Sequence, residues 1–174
     1  MVNKNPLLTS WNTPYKIAPF DEILDDHFSE AVERAMEYEL QEIQEISENS
    51  DQPTFENTIH ALLNSGNLLK RVLSVFYTLV SADSNTQREK LMTEFSPKLS
   101  SHLSKITSNE KLFNRIQELF EKIDSLNLLP EEQRLLEKIH QDYVRAGAAL
   151  NEQSKERMKA VSYTHLTLPT KRIV

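Results

Sequence analysis

Apolar residues along this chain recur at steps of three and four, and that spacing repeats from one segment to the next. Phe28, Ala31, Val32, Ala35, Met36, Leu40, Ile43 and Ile46 predict an amphipathic helix over about 26–47, with Asp25 or Asp26 as its N-cap. The polar run SENSDQP, closed by Pro53, reads as a loop. Thr54 then caps a second helix whose inward stripe is Phe55, Ile59, Leu62, Gly66, Leu69, Leu73, Phe76 and Val80. That stripe crosses Asn64-Ser65-Gly66-Asn67, four residues that can stop a helix because Gly suits the position just past a helix end. The unbroken register favours a continuous helix, with Gly66 as a small core-facing residue where another helix crosses closely. A glycine inside a helix costs only about 1 kcal/mol.

ADSNT (82–86) reads as a turn. Met92, Phe95, Leu99, Leu103 and Ile106 form the third stripe. Pro97 lies inside it and predicts a kink, because proline removes one backbone hydrogen bond and crowds the preceding turn. Ser108 or Asn109 restarts the chain as a fourth helix with Leu112, Ile116, Leu119, Phe120 and Ile123 inward. After LNLLPEEQ, the Pro130-Glu131-Glu132 sequence opens a fifth helix, since a rigid φ and negative charge both suit a first turn. Its stripe is Leu135, Ile139, Tyr143, Ala146, Leu150 and Met158. Residues 1–24 carry Pro6, Pro14 and Pro19 among Trp11, Tyr15 and Phe20, and read as an extended arm whose aromatics pack elsewhere. The expected fold is all-α: an antiparallel helical bundle of about five helices with an extended N-terminal arm.

Composition narrows what such a bundle can do. The chain has 174 residues, enough for one domain that buries roughly 70% of its unfolded surface. Its net charge is −6, and no more than two bases adjoin (Lys70-Arg71, Lys171-Arg172), so it lacks the footprint that binds nucleic acid. It has no cysteine, which excludes disulfides, thiol catalysis and thiolate-bound zinc. It has two glycines, Gly66 and Gly147, too few for a phosphate-binding loop or a nucleophile elbow. No segment has the length of a signal peptide or a membrane span, so the expectation is a soluble, cytoplasmic protein without nucleic-acid or membrane partners.

The histidines, His27, His60, His102, His140 and His165, stand 33, 42, 38 and 25 residues apart. Zinc held by HExxH needs two of them four apart on one helix face, and no such pair exists. Glu137 and His140 match the Glu-x-x-His spacing of di-iron bundles, but such sites need two copies and two further glutamates. His27-x-x-Glu30 runs in reverse order, and Glu56 with His60 lacks a partner nucleophile. All three pairs read as solvated helix faces, as does the charged run EYELQEIQEISE. The residues therefore give no catalytic, cofactor-binding or metal-binding position.

Several segments together resemble one family: NPLLTSWNTPYKIAPFDEI, DHFSEAVERAM, PTFENTIHALLNSGNLLKRVLSVF, NEKLFNRI and RLLEKIHQDYVRAGAALNEQSKERMKA. In this order they are similar to the N-terminal region of the thimet-oligopeptidase-like zinc metallopeptidases, over about residues 5–160. The peptidyl-dipeptidase branch fits best and the oligopeptidase A branch is the near alternative. The resemblance implies an intracellular, almost wholly helical enzyme with two lobes around a deep channel, which removes dipeptides from the C-termini of short peptides. It implies zinc on an HExxH helix with a further glutamate ligand, all of it downstream of the matched region. This sequence departs from the pattern in lacking that motif. The implied partners are therefore the missing C-terminal catalytic region of the same chain and, in the full enzyme, short peptide substrates. By itself the chain is expected to be inactive, to bind no zinc and to expose apolar surface where the rest should dock. The alternative is a stand-alone helical interaction module.

The character of the sequence changes at its end. Residues 1–160 hold all 26 acids and 18 of the 20 bases, whereas VSYTHLTLPTKRIV (161–174) has no acid and no helical period. This tail resembles the translation of a sequencing-library adapter. The expected division is thus 1–160, an N-terminal helical region of a larger metallopeptidase, and 161–174, a non-native tail.

Overall fold

A computed structural model describes residues 5–150. They form six helices: α1 (His27–Glu48), α2 (Ala61–Asn64), α3 (Asn67–Ala82), α4 (Thr86–Thr107), α5 (Glu110–Glu121) and α6 (Pro130–Arg145). Among the described residues there is no strand. The five predicted helices are all found, with the second divided. The predicted Met158, the tail 161–174 and His165 lie outside the described residues.

The direction of each helix follows from its cross-helix partners. Phe28 packs edge-on against Phe76 at 5.1 Å, while the Glu42 carboxylate accepts the Gly66 N–H at 2.8 Å, so α1 and α3 are antiparallel. Asp25 pairs with Arg88, Glu33 with Lys98 and Glu39 with His102, so α4 runs parallel to α1. Short connections between consecutive helices give this up-down-up order. Gln117 and Phe120 both meet His140, and Phe113 meets Tyr143, making α5 and α6 an antiparallel hairpin.

Two hydrophobic cores share α1. The first gathers Leu7, Phe28, Val32, Val72, Phe76 and Phe95. The Phe76 ring stands edge-on to both Phe28 and Phe95 at 5.1 Å, the geometry that aromatic quadrupoles favour. The second gathers Ile43, Ile59, Leu112, Ile116, Leu119 and Leu136.

The second predicted helix differs from expectation in a way that matters for the site. Thr54 does cap it, in a reciprocal box with Asn57: the Asn57 N–H donates to Thr54 Oγ1 and the Thr54 N–H to Asn57 Oδ1. Its first turn, Phe55–His60, is a π-helix. The helix then ends at Ser65-Gly66, where Gly66 adopts φ +66, and α3 begins afresh. Helix continuity through Gly66 is thereby corrected. An apolar stripe records which residues face inward, not whether the backbone joining them is helical. The expected close approach is present, but it is made by the Glu39 side chain of α1.

Other corrections are local. Asp26 stands at the N-cap position of α1, as predicted, but makes no side-chain capping bond. Asp25 accepts from Arg88 and Asn85, and Asp26 from Gln87, so both carboxylates serve tertiary contacts instead. The arm is not extended but a series of 3-10 turns at Pro6–Leu8, Pro14–Lys16 and Phe20–Glu22. Of its aromatics only Trp11 is packed, whereas Tyr15 and Phe20 are exposed. The Trp11 indole donates to the Pro6 carbonyl at 2.9 Å, and the Arg71 guanidinium lies 4.7 Å above its ring. α4 passes through Pro97 as one helix. Asn109 caps α5, accepting the Leu112 N–H at 3.0 Å, and Glu132 accepts the Leu129 N–H at the start of α6.

α6 stops short of the predicted stripe. Gly147, at φ +89, ends it in a Schellman motif: the Ala148 N–H reaches the Tyr143 carbonyl and the Gly147 N–H the Val144 carbonyl, both at 3.0 Å. Ala146 and Leu150, predicted inward, are exposed, and Leu136 takes the deepest position on α6.

Candidate functional site

Polar side chains converge where the two cores meet. Glu39 and Glu42 lie on one face of α1, three residues apart, and turn toward the break between α2 and α3. The break leaves the Gly66 N–H outside any helix, and the Glu42 carboxylate accepts it. Glu39 fills the space beside Gly66 that a larger residue would need. Its Oε2 lies 2.7 Å from Nε2 of His102 on α4, and both side chains are largely buried. From α6, Tyr143 faces the same layer. Burial, and then the negative charge of Glu39, push its hydroxyl well above the usual phenol range, so it stays neutral. Lys70 closes the layer by donating to the Leu63 and Ser65 carbonyls, the free ends of α2.

This arrangement fixes an imidazole against a carboxylate, but among the described residues no hydroxyl is hydrogen-bonded to His102. It is therefore a junction joining α1, α4, α6 and the α2–α3 break, with no nucleophile assembled around it.

A second polar cluster surrounds Arg115 of α5, which is buried. Its guanidinium donates to the carbonyls of Asn49 and Asp51 at 2.8 and 3.0 Å, to Asn57 Oδ1 at 2.9 Å and to Thr58 Oγ1 at 3.3 Å. One side chain thus holds the whole connection between α1 and the π-turn. The planar fork of arginine suits several acceptors at once.

The candidate pairs from the sequence occupy separate places. Glu137 is engaged by Arg134 at 3.2 Å, whereas His140 bonds to Gln117 at 2.6 Å and stacks on Phe120 at 3.9 Å, so the two do not converge on a common point. Burial lowers the His140 pKa, opposed by the charge of Glu121. His27 Nδ1 accepts the Leu24 N–H at 3.0 Å, and Glu30 pairs with Arg34 and Asn5. Glu56 and His60 do meet, at 2.7 Å, on the exposed side of the π-turn. Among the described residues no group of three or more His, Asp or Glu side chains is placed to hold a metal ion. The donor set does not fit the zinc that the family resemblance implies, and no catalytic step follows from these residues. Among the described residues no helix is long and apolar enough to cross a membrane.

Sequence reasoning missed the Glu39–His102 pair and Arg115. Glu39 and His102 are 63 residues apart, with no local pattern joining them. Arg115 had one available signal: a charged residue directly beside the inward Ile116.

The molecule is thus a helical framework with polar junctions, and its relatives place it more closely. No family model matches the chain. The dipeptidyl carboxypeptidase of Escherichia coli K12 is 37% identical to it over 168 residues, which is 97% of this chain and 25% of that protein. The dipeptidyl carboxypeptidase of Salmonella typhimurium LT2 is 36% identical over 167 residues, again 25% of its length. Nearly the whole of this chain is thus similar to one part of these dipeptidyl carboxypeptidases. It spans about a quarter of the length of these relatives.

Proposed function

We propose that this chain is the N-terminal helical part of a zinc metallopeptidase that releases dipeptides from the C-termini of oligopeptides. In this reading the bundle forms one wall of the substrate channel. The zinc ligands and the water-activating glutamate belong to sequence beyond these 174 residues, so the chain alone does not hydrolyse peptides. The observation that carries the proposal is the lopsided match: 97% of this chain aligns, against 25% of the relative. Peptidase action on short peptides in the cytoplasm follows from the family resemblance, as does zinc. Residues 161–174 are proposed as adapter-derived, on the abrupt loss of acids and of helical period.

The test is to sequence the source DNA through codon 161. The expected result is adapter bases there in the clone, and in the genome a frame that continues into an HExxH motif. A native stop codon near 161 would overturn the reading in favour of a free-standing interaction module.

A further inference from the structure

The geometry points to α4 as a clasped strap, a helix held along α1 by a ladder of polar contacts beside a few buried apolar side chains and able to undock from it as a unit. Four rungs share one parallel register. Arg88 Nε meets Asp25 Oδ1 at 2.7 Å, Gln87 donates to Asp26 at 2.6 Å, Lys98 Nζ meets Glu33 at 2.6 Å and His102 meets Glu39 at 2.7 Å. The Asp25 pairing raises the Arg88 pKa further, keeping that rung charged. Asn85 joins the first rung, since it caps α4 through the Arg88 N–H and also donates to Asp25.

Apolar anchorage is thin by comparison. α4 and α1 are both 22 residues long. α4 buries only Leu91, Phe95 and Ile106 as apolar side chains, whereas α1 buries Phe28, Ala31, Val32, Ala35, Ile43 and Ile46. Halfway along, the two helices leave a groove of about 460 Å³ floored by Met36, Leu40 and Pro97 and bridged by the Glu33–Lys98 pair. Pro97 deprives the helix of one backbone hydrogen bond at that point. α4 joins its neighbours through short turns (83–85 and 108–109), and it supplies Leu91 and Phe95 to the first core and Ile106 to the second, so its opening withdraws these three side chains. Elements with few buried contacts open locally at lower free energy than the whole fold.

Hydrogen exchange on the full chain, followed by mass spectrometry, tests this directly. Peptides from 88–106 should exchange at least tenfold faster than those of α1 and α3. Reversing the middle rung with Lys98→Glu should speed α4 exchange about fivefold further and leave α3, α5 and α6 unchanged. The swapped pair Glu33→Lys/Lys98→Glu should restore the original rate. The chain has no cysteine, so a single Leu40→Cys gives a second readout. Its labelling by a thiol reagent should rise in step with α4 exchange. Exchange of α4 at the same rate as α1 and α3, or equal acceleration of every helix by Lys98→Glu, would overturn the proposal.

Discussion

The Glu39 carboxylate of α1 stands in the space that a Cβ on Gly66 would take, at the break between α2 and α3. Two constraints coincide at Gly66, a left-handed backbone and a filled neighbour. Gly66→Ala should lower unfolding free energy by about 1–3 kcal/mol, from strain at φ +66 and displacement of Glu39. Chemical denaturation measures it. In Glu39→Ala/Gly66→Ala the loss should be smaller than the sum of the two single losses, because the collision is gone and only the backbone strain remains.

Arg115→Met should cost about 2–4 kcal/mol, since it strands the Asn49 and Asp51 carbonyls without their donor. Arg115→Lys should recover little of this, because one ammonium group cannot span the same acceptors. Hydrogen exchange would localise the damage to residues 49–58, with α3 unaffected.

Stability should fall in mild acid through His140. Burial against Phe120 lowers its folded-state pKa, so the unfolded chain takes up the proton more readily. The contribution is complete above the ordinary histidine value of about 6.5 and is lost as pH falls through the lowered folded value. His140→Phe retains the stacking and removes the titration. Urea midpoints measured between pH 7 and pH 5 should therefore fall less in this variant than in the parent chain.

The arm leaves Tyr15, Ile17, Phe20 and Leu24 exposed within ten residues, with Tyr15 almost fully so at 96%. Closely spaced apolar surface of this kind favours association. The chain should bind a hydrophobic dye and sediment with a concentration-dependent mass. Tyr15→Ser/Phe20→Ser should reduce both signals without changing the unfolding midpoint.

Much of the helical layout was legible because each long helix buries a stripe, and a stripe is a local pattern. Phe28, Val32, Phe76, Phe95, Leu112 and Ile116 were all placed inward from spacing alone, and all are buried. The breaks were harder to read. Gly66 and Gly147 both sit in left-handed backbone at helix ends. At Gly66 the heptad period outweighed the stop signal of Asn64-Ser65-Gly66. Gly147 was passed over because Leu150 kept the period, although it is exposed. The polar junction was not legible at all, since Glu39, Gly66, His102 and Tyr143 come from four separate elements and meet only in three dimensions. For Asp25 and Asp26, tertiary partners on α4 outcompeted the local role that the sequence favours.

The central claim is that these helices are framework, and that the cutting groups lie in sequence this chain does not contain. Its most direct test measures dipeptide release from a blocked oligopeptide, with zinc supplied, by the purified 174-residue chain and by the chain extended through the remainder of its gene. The account predicts release by the extended protein and none by the shorter one. Zinc-dependent release by the 174-residue chain itself would contradict it.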